Sequence, residues 1–108
     1  MAGNSWQYLG LNLVLILASL PLVFRLVPPN RWYGFRLPGM QSSEALWYEF
    51  NALGAKMFVA SMIICVAVNL AFLLKGTELA QPYLGWINAG MIALSFWIVS
   101  WLLVQSLP

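Results

Sequence analysis

Histidine is absent, cysteine occurs once, and charge is scarce, with three acidic and five basic side chains in 108 residues. Each absence removes a class of function. Without histidine there is no usual haem axial ligand, no commonest metal ligand and no default general base. A single cysteine, Cys65, excludes an intrachain disulfide. Five scattered basic residues do not make the Lys/Arg patch that a phosphate backbone demands, so no nucleic-acid partner is expected. No nucleophile–base pair, metal-ligand spacing, phosphate-cradling glycine loop or Cys-x-x-Cys occurs. No catalytic residue, metal or cofactor is therefore expected, and the chain reads as a binding protein more readily than as an enzyme. What fills it is hydrocarbon: 62% of residues are hydrophobic and 7% charged, the composition of an integral membrane protein forming a single domain.

Three apolar segments are long enough to cross about 30 Å of hydrocarbon at about 1.5 Å per residue. The expected architecture is an all-α membrane protein with three transmembrane helices and a short amphipathic interfacial helix leading into the second. Helix one is placed at 6–27, interrupted in its interior by Asn12, Ser19 and Pro21, with Trp6 and Tyr8 at one interface and Arg25 snorkelling to the other. Met1 to Gln7 has no basic n-region and no small-residue cleavage site follows, so this segment is expected to be retained. A loop and entry helix occupy 28–51, with Ser43 as N-cap and Glu44 in the first turn. Helix two is placed at 52–75, with a bend expected at Gly54 and a C-terminus at Lys75-Gly76. Helix three is placed at 82–106, with Pro82 at its first position.

Polar residues inside the spans are few. Asn12, Asn69 and Asn88 fall one per helix, where an amide bonds across a helix interface at a worth of about 1 kcal/mol. Ser61, Cys65 and Asn69 form a line at four-residue spacing, read as a helix contact. Gly85, Ala89 and Ala93 form a small-residue ridge on helix three, a face through which a homo-oligomer is expected. Arg25, Arg31, Arg36 and Lys56 lie on the side of the first loop, against Lys75 on the other, so that loop is predicted to be cytoplasmic.

The stretch from Pro28 to Pro38 is the part that hydrophobicity does not explain. Arg31 and Arg36 are five apart with Gly34 between, so a glycine turn can aim both guanidiniums at one anion. The simpler reading is that two arginines beside a membrane hold anionic lipid and fix topology. Trp32, Tyr33, Phe35 and Trp47 are read first as headgroup-level aromatics, and Asn30 as closing a turn. Glu49 and Lys56, seven apart, share a helix face, and Lys56 either snorkels or pairs with Glu49 or Glu44.

The order Pro29-Asn30-Arg31-Trp32-Tyr33-Gly34-Phe35-Arg36-Leu37-Pro38, followed by Ser43, Trp47, Asn51, Gly54 and Lys56 at their spacings, resembles the SdpI family of bacterial membrane proteins. Leu37 stands where that pattern usually has Thr, and Ala55 where a second Gly is common. The family's best-known member is an immunity protein protecting a sporulating bacterium from its own killing peptide and holding a repressor at the membrane. The resemblance implies an inner-membrane immunity or sensing role against a membrane-active antimicrobial peptide. It points to Asn30, Tyr33, Gly34, Arg36, Pro38, Trp47, Asn51, Gly54 and Lys56. The expected ligand-binding set is Asn30, Arg31, Tyr33, Gly34, Arg36, Trp47, Glu49, Asn51 and Lys56. Membrane lipid is the other expected partner. Two alternatives remain open: an enzyme or transporter component gripping a lipid headgroup or phosphate in the same loop, and a structural subunit of a larger membrane complex.

Overall fold

The structure is a computed structural model and describes residues 5–30, 34, 44–75 and 81–106. Three helices follow one another: α1 (Ser5–Val23), α2 (Glu44–Lys75) and α3 (Leu84–Ser106), the last preceded by one 3-10 turn, Gln81–Tyr83, that contains Pro82. All three are long and apolar enough to span a membrane. The expected all-helical, three-span architecture is therefore the observed one.

The boundaries carry physical information. α1 stops at Val23 instead of running to 27 because its C-terminus is wound off by a Schellman motif. Arg25 adopts a left-handed φ of 60°, its N–H donates to the Leu22 carbonyl at 3.1 Å, and the Leu26 N–H reaches back to the Pro21 carbonyl at 2.8 Å. Those two bonds satisfy carbonyls that the helix end would otherwise strand in apolar surroundings. Arg25 thus ends the helix as well as lying exposed at its edge. The entry segment and second span form one uninterrupted helix of 32 residues, about 48 Å at 1.5 Å per residue, which accounts for the 50 Å long axis of the molecule. α2 runs unbroken through Gly54, which is buried. Its first residue, Glu44, and its last, Lys75, are of the charge that favours each end of the helix dipole. Ser43 and Gly76 lie outside the described residues.

α2 is the central element. α1 packs along it extensively, α3 less so, and α1 and α3 touch each other little. Its inward stripe is Trp47, Asn51, Gly54, Phe58, Met62, Cys65 and Asn69, all buried and spaced three or four apart, the period of one helix face. The core cluster combines Phe50, Phe58, Met62 and Cys65 of α2 with Val99 and Leu103 of α3, and Leu15 and Ile16 of α1 pack against it. On α3, Gly85 is half-buried while Ala89 and Ala93 are exposed, so most of the small-residue ridge faces away from the bundle.

At the end of the bundle opposite the loop, one polar layer joins all three helices. Asn12, Asn69 and Asn88 are each at most 1% exposed. The Asn69 amide nitrogen donates to Asn12 Oδ1 at 2.9 Å and to Asn88 Oδ1 at 2.8 Å, and lies 3.1 Å from the Cys65 carbonyl. Two protons thus serve three acceptors, so one is shared. Asn88 returns a bond to Asn69 Oδ1 at 3.2 Å and donates to the Leu84 carbonyl at 3.0 Å. Asn12 completes the layer by pointing its amide nitrogen at Met62 Sδ, 3.9 Å away, a weak acceptor. Within a bilayer, helices gain no hydrophobic drive towards one another, so such bonds and close packing supply the association. Asn69 touches both partners and the other two do not. Asn69→Ala is accordingly expected to lower stability by about 1–3 kcal/mol, more than Asn12→Ala or Asn88→Ala, as read by denaturant titration of helicity in micelles.

Candidate functional site

The site grows from the first two turns of α2. Trp47 and Asn51, four residues apart, lie on the inward stripe and are 0% and 1% exposed. The indole N–H of Trp47 donates to the Val27 carbonyl at 2.9 Å, tying the chain just after α1 to the start of α2 across twenty residues. The Asn51 amide nitrogen donates to the Trp47 carbonyl at 2.9 Å, which fixes the side chain so that Oδ1 faces the loop. Gly34 sits against that pair. A Cβ on Gly34 would lie 2.8 Å from Asn51 Oδ1 and 3.1 Å from two ring carbons of Trp47, and its φ is +121°. Both the approach and the backbone conformation therefore require glycine. Asn30 closes a turn, its amide nitrogen donating to the Pro28 carbonyl at 2.8 Å.

These contacts sort the expected residues. Gly34, Trp47 and Asn51 come together as one platform, while the bond from Asn30 to the Pro28 carbonyl stays within its own turn. Glu49 and Lys56 do not join them. At 100° per residue they fall about 200° and 180° around α2 from Trp47, and both are exposed. Lys56 therefore lies on the outward face and braces nothing in the platform. Arg31, Tyr33 and Arg36 lie outside the described residues; along the chain they stand three before, one before and two after Gly34. Trp47 is also not the headgroup-level aromatic that the belt reading makes it, because it is fully buried and bonded to backbone. The Trp47–Val27 bond has no local sequence signal. Only the Trp-x-x-x-Asn spacing, with Gly three residues further on, hints that an inward polar stripe begins there.

The platform's buried polar groups are an indole N–H and a carboxamide. Neither exchanges protons in the ordinary pH range, so the platform positions a loop and does not perform acid–base chemistry.

A helical, multi-pass membrane protein whose interfacial loop is pinned onto the span that follows it is the class defined by this fold and site. The model of the SdpI/YfhL protein family matches residues 26–105, taking in the loop, α2 and nearly all of α3, and the chain belongs to that family. No curated protein and no solved structure matches it.

Two substitutions separate the platform's parts. Trp47→Phe replaces the indole by a smaller phenyl ring, strands the Val27 carbonyl and is expected to lower stability by about 2–3 kcal/mol. Gly34→Ala must push the loop off Asn51 and is expected to lower it by about 2 kcal/mol or more. Thermal unfolding in micelles reads the first, and for Gly34→Ala a faster tryptic cleavage after Arg31 and Arg36 should accompany the loss.

Proposed function

We propose that the protein is an SdpI-type immunity or sensing protein of the bacterial inner membrane, engaging a membrane-active antimicrobial peptide at the loop from Asn30 to Pro38. The observation that carries this reading is the family match over residues 26–105, which includes the whole of that loop. The geometry supports it by holding Gly34 on the buried Trp47–Asn51 pair. Arg31 and Arg36, on either side of that fixed point, take an anionic group of the peptide, and Tyr33 shapes the approach. Arginine suits this role because its planar fork meets a carboxylate with two parallel bonds. The loop faces the cytoplasm in this reading, from the excess of arginine on its side.

Survival of a peptide-sensitive bacterium expressing the chain, compared with Arg36→Ala at matched membrane levels across a panel of membrane-active peptides, tests the proposal. Protection is expected from the native chain and its loss, by at least about tenfold in survivors, from Arg36→Ala, in keeping with one charge-assisted bidentate contact of roughly 1.5–3 kcal/mol. Equal killing of native, variant and vector strains by every peptide would overturn it.

A further inference from the structure

The bundle is open along one side. α1 and α3 both lean on α2 but touch each other little, and between them lies a cavity of about 230 Å³ walled by Ala18, Ser19 and Leu22 of α1, Phe58 of α2, Phe96 of α3 and Gly34 of the loop. Ala18 is exposed, so the space communicates with the surroundings. The Phe58 and Phe96 rings, 4.6 Å apart between centroids and inclined at 33°, make one apolar wall. The one hydroxyl present, on Ser19, already donates to the Leu15 carbonyl at 2.8 Å and asks for no polar ligand.

Every helical wall residue belongs to a membrane-spanning segment, so the medium outside the cavity is hydrocarbon, and an apolar cavity of this kind does not take up water. Its dimensions fit a segment of one hydrocarbon chain. From Leu15, its innermost α1 residue, to Leu22 is about 10.5 Å along the helix, and one leaflet of a 30 Å core is about 15 Å deep. A cation stands at the loop end. Arg25 is exposed and its N–H is bonded to the carbonyl of the wall residue Leu22 at 3.1 Å. It holds the left-handed position where glycine is the usual residue, so an arginine stands in the turn next to the wall residue Leu22 at the expense of backbone ease. The carboxylates nearest in the chain on that side, Glu44 and Glu49 of α2, are exposed on another helix.

We propose that this cavity seats a segment of one acyl chain of an anionic phospholipid whose headgroup phosphate is held by Arg25. The cavity shares Gly34 with the loop of Arg31 and Arg36, but the lipid role does not depend on the peptide-binding role assigned to those arginines. The test is thermal unfolding of the full chain purified in a neutral maltoside detergent, with added phosphatidylglycerol, phosphatidylcholine of the same acyl chains, or glycerol phosphate. Phosphatidylglycerol is expected to raise the Tm of the native chain by at least about 4 °C more than phosphatidylcholine does, and glycerol phosphate to leave it unchanged. Arg25→Gly, which relieves the left-handed backbone, is expected to be no less stable in detergent alone, yet to respond to phosphatidylglycerol only as it does to phosphatidylcholine. Ala18→Phe, which obstructs the cavity, is expected to lose the response to both lipids. Equal shifts from the two lipids on the native chain would overturn the proposal. So would a full phosphatidylglycerol increment in either variant, or the same increment from glycerol phosphate alone.

Discussion

The carboxamide of Asn69 is the interaction on which the bundle turns. A bilayer offers helices no hydrophobic reason to associate, since lipid tails are as apolar as leucine. The first turn-to-turn register between helices must then come from groups that lipid cannot satisfy. Asn69 bonds to α1 through Asn12 and to α3 through Asn88, and the reciprocal bond from Asn88 makes the α2–α3 side a paired-amide contact. Any sliding of one helix past another would leave these amides unpaired in hydrocarbon, where an unsatisfied polar group costs several kcal/mol. The layer therefore fixes vertical register more than it adds stability.

With that end registered, the inward stripe of α2 carries the alignment about 33 Å along the helix from Asn69 to Trp47. There the second polar cluster performs a different task. Trp47 and Asn51 use their side-chain groups on backbone, at Val27 and within α2 itself, and so secure a loop instead of a helix. The Schellman turn at Arg25 and the short tie from Val27 to Trp47 bring the chain off α1 and directly onto α2. α3 contributes to the amide layer and to the core below, but α1 and α3 leave a gap between them. In water such a gap would be closed by hydrophobic collapse; in a membrane hydrocarbon fills it, and the fold tolerates it.

Much of this could be read from residue order. Three apolar runs of spanning length, the proline pair after α1 and the near-absence of charge leave little choice of architecture. The helices' polar layer was nearly legible as well: counted from the expected ends at 6, 75 and 82, Asn12, Asn69 and Asn88 each lie six residues in. Equal depth follows from counting, whereas their meeting depends on rotation of each helix about its axis, which the weak amphipathicity of lipid-facing helices does not encode. The candidate site divides along the same line. Gly34, Trp47 and Asn51 belong together by contact, while Glu49 and Lys56, equally prominent as charges, turn out to face outward. Charge drew attention to residues whose position around α2 excludes them from the platform.

Sequence by itself determined the membrane class, the number of spans, the family and the location of the loop, because these follow from composition, run length and the order of a dozen residues. Tertiary structure decided which face of α2 is inward, that one tryptophan is a buried strut instead of an interfacial aromatic, that α1 ends four residues early on a left-handed arginine, and that α1 and α3 stand apart. The physical reason is common to all four. Each depends on how helices rotate and approach in a medium without a hydrophobic force between them, where a few buried hydrogen bonds and one glycine-sized contact choose among arrangements that the apolar pattern leaves nearly equal in energy.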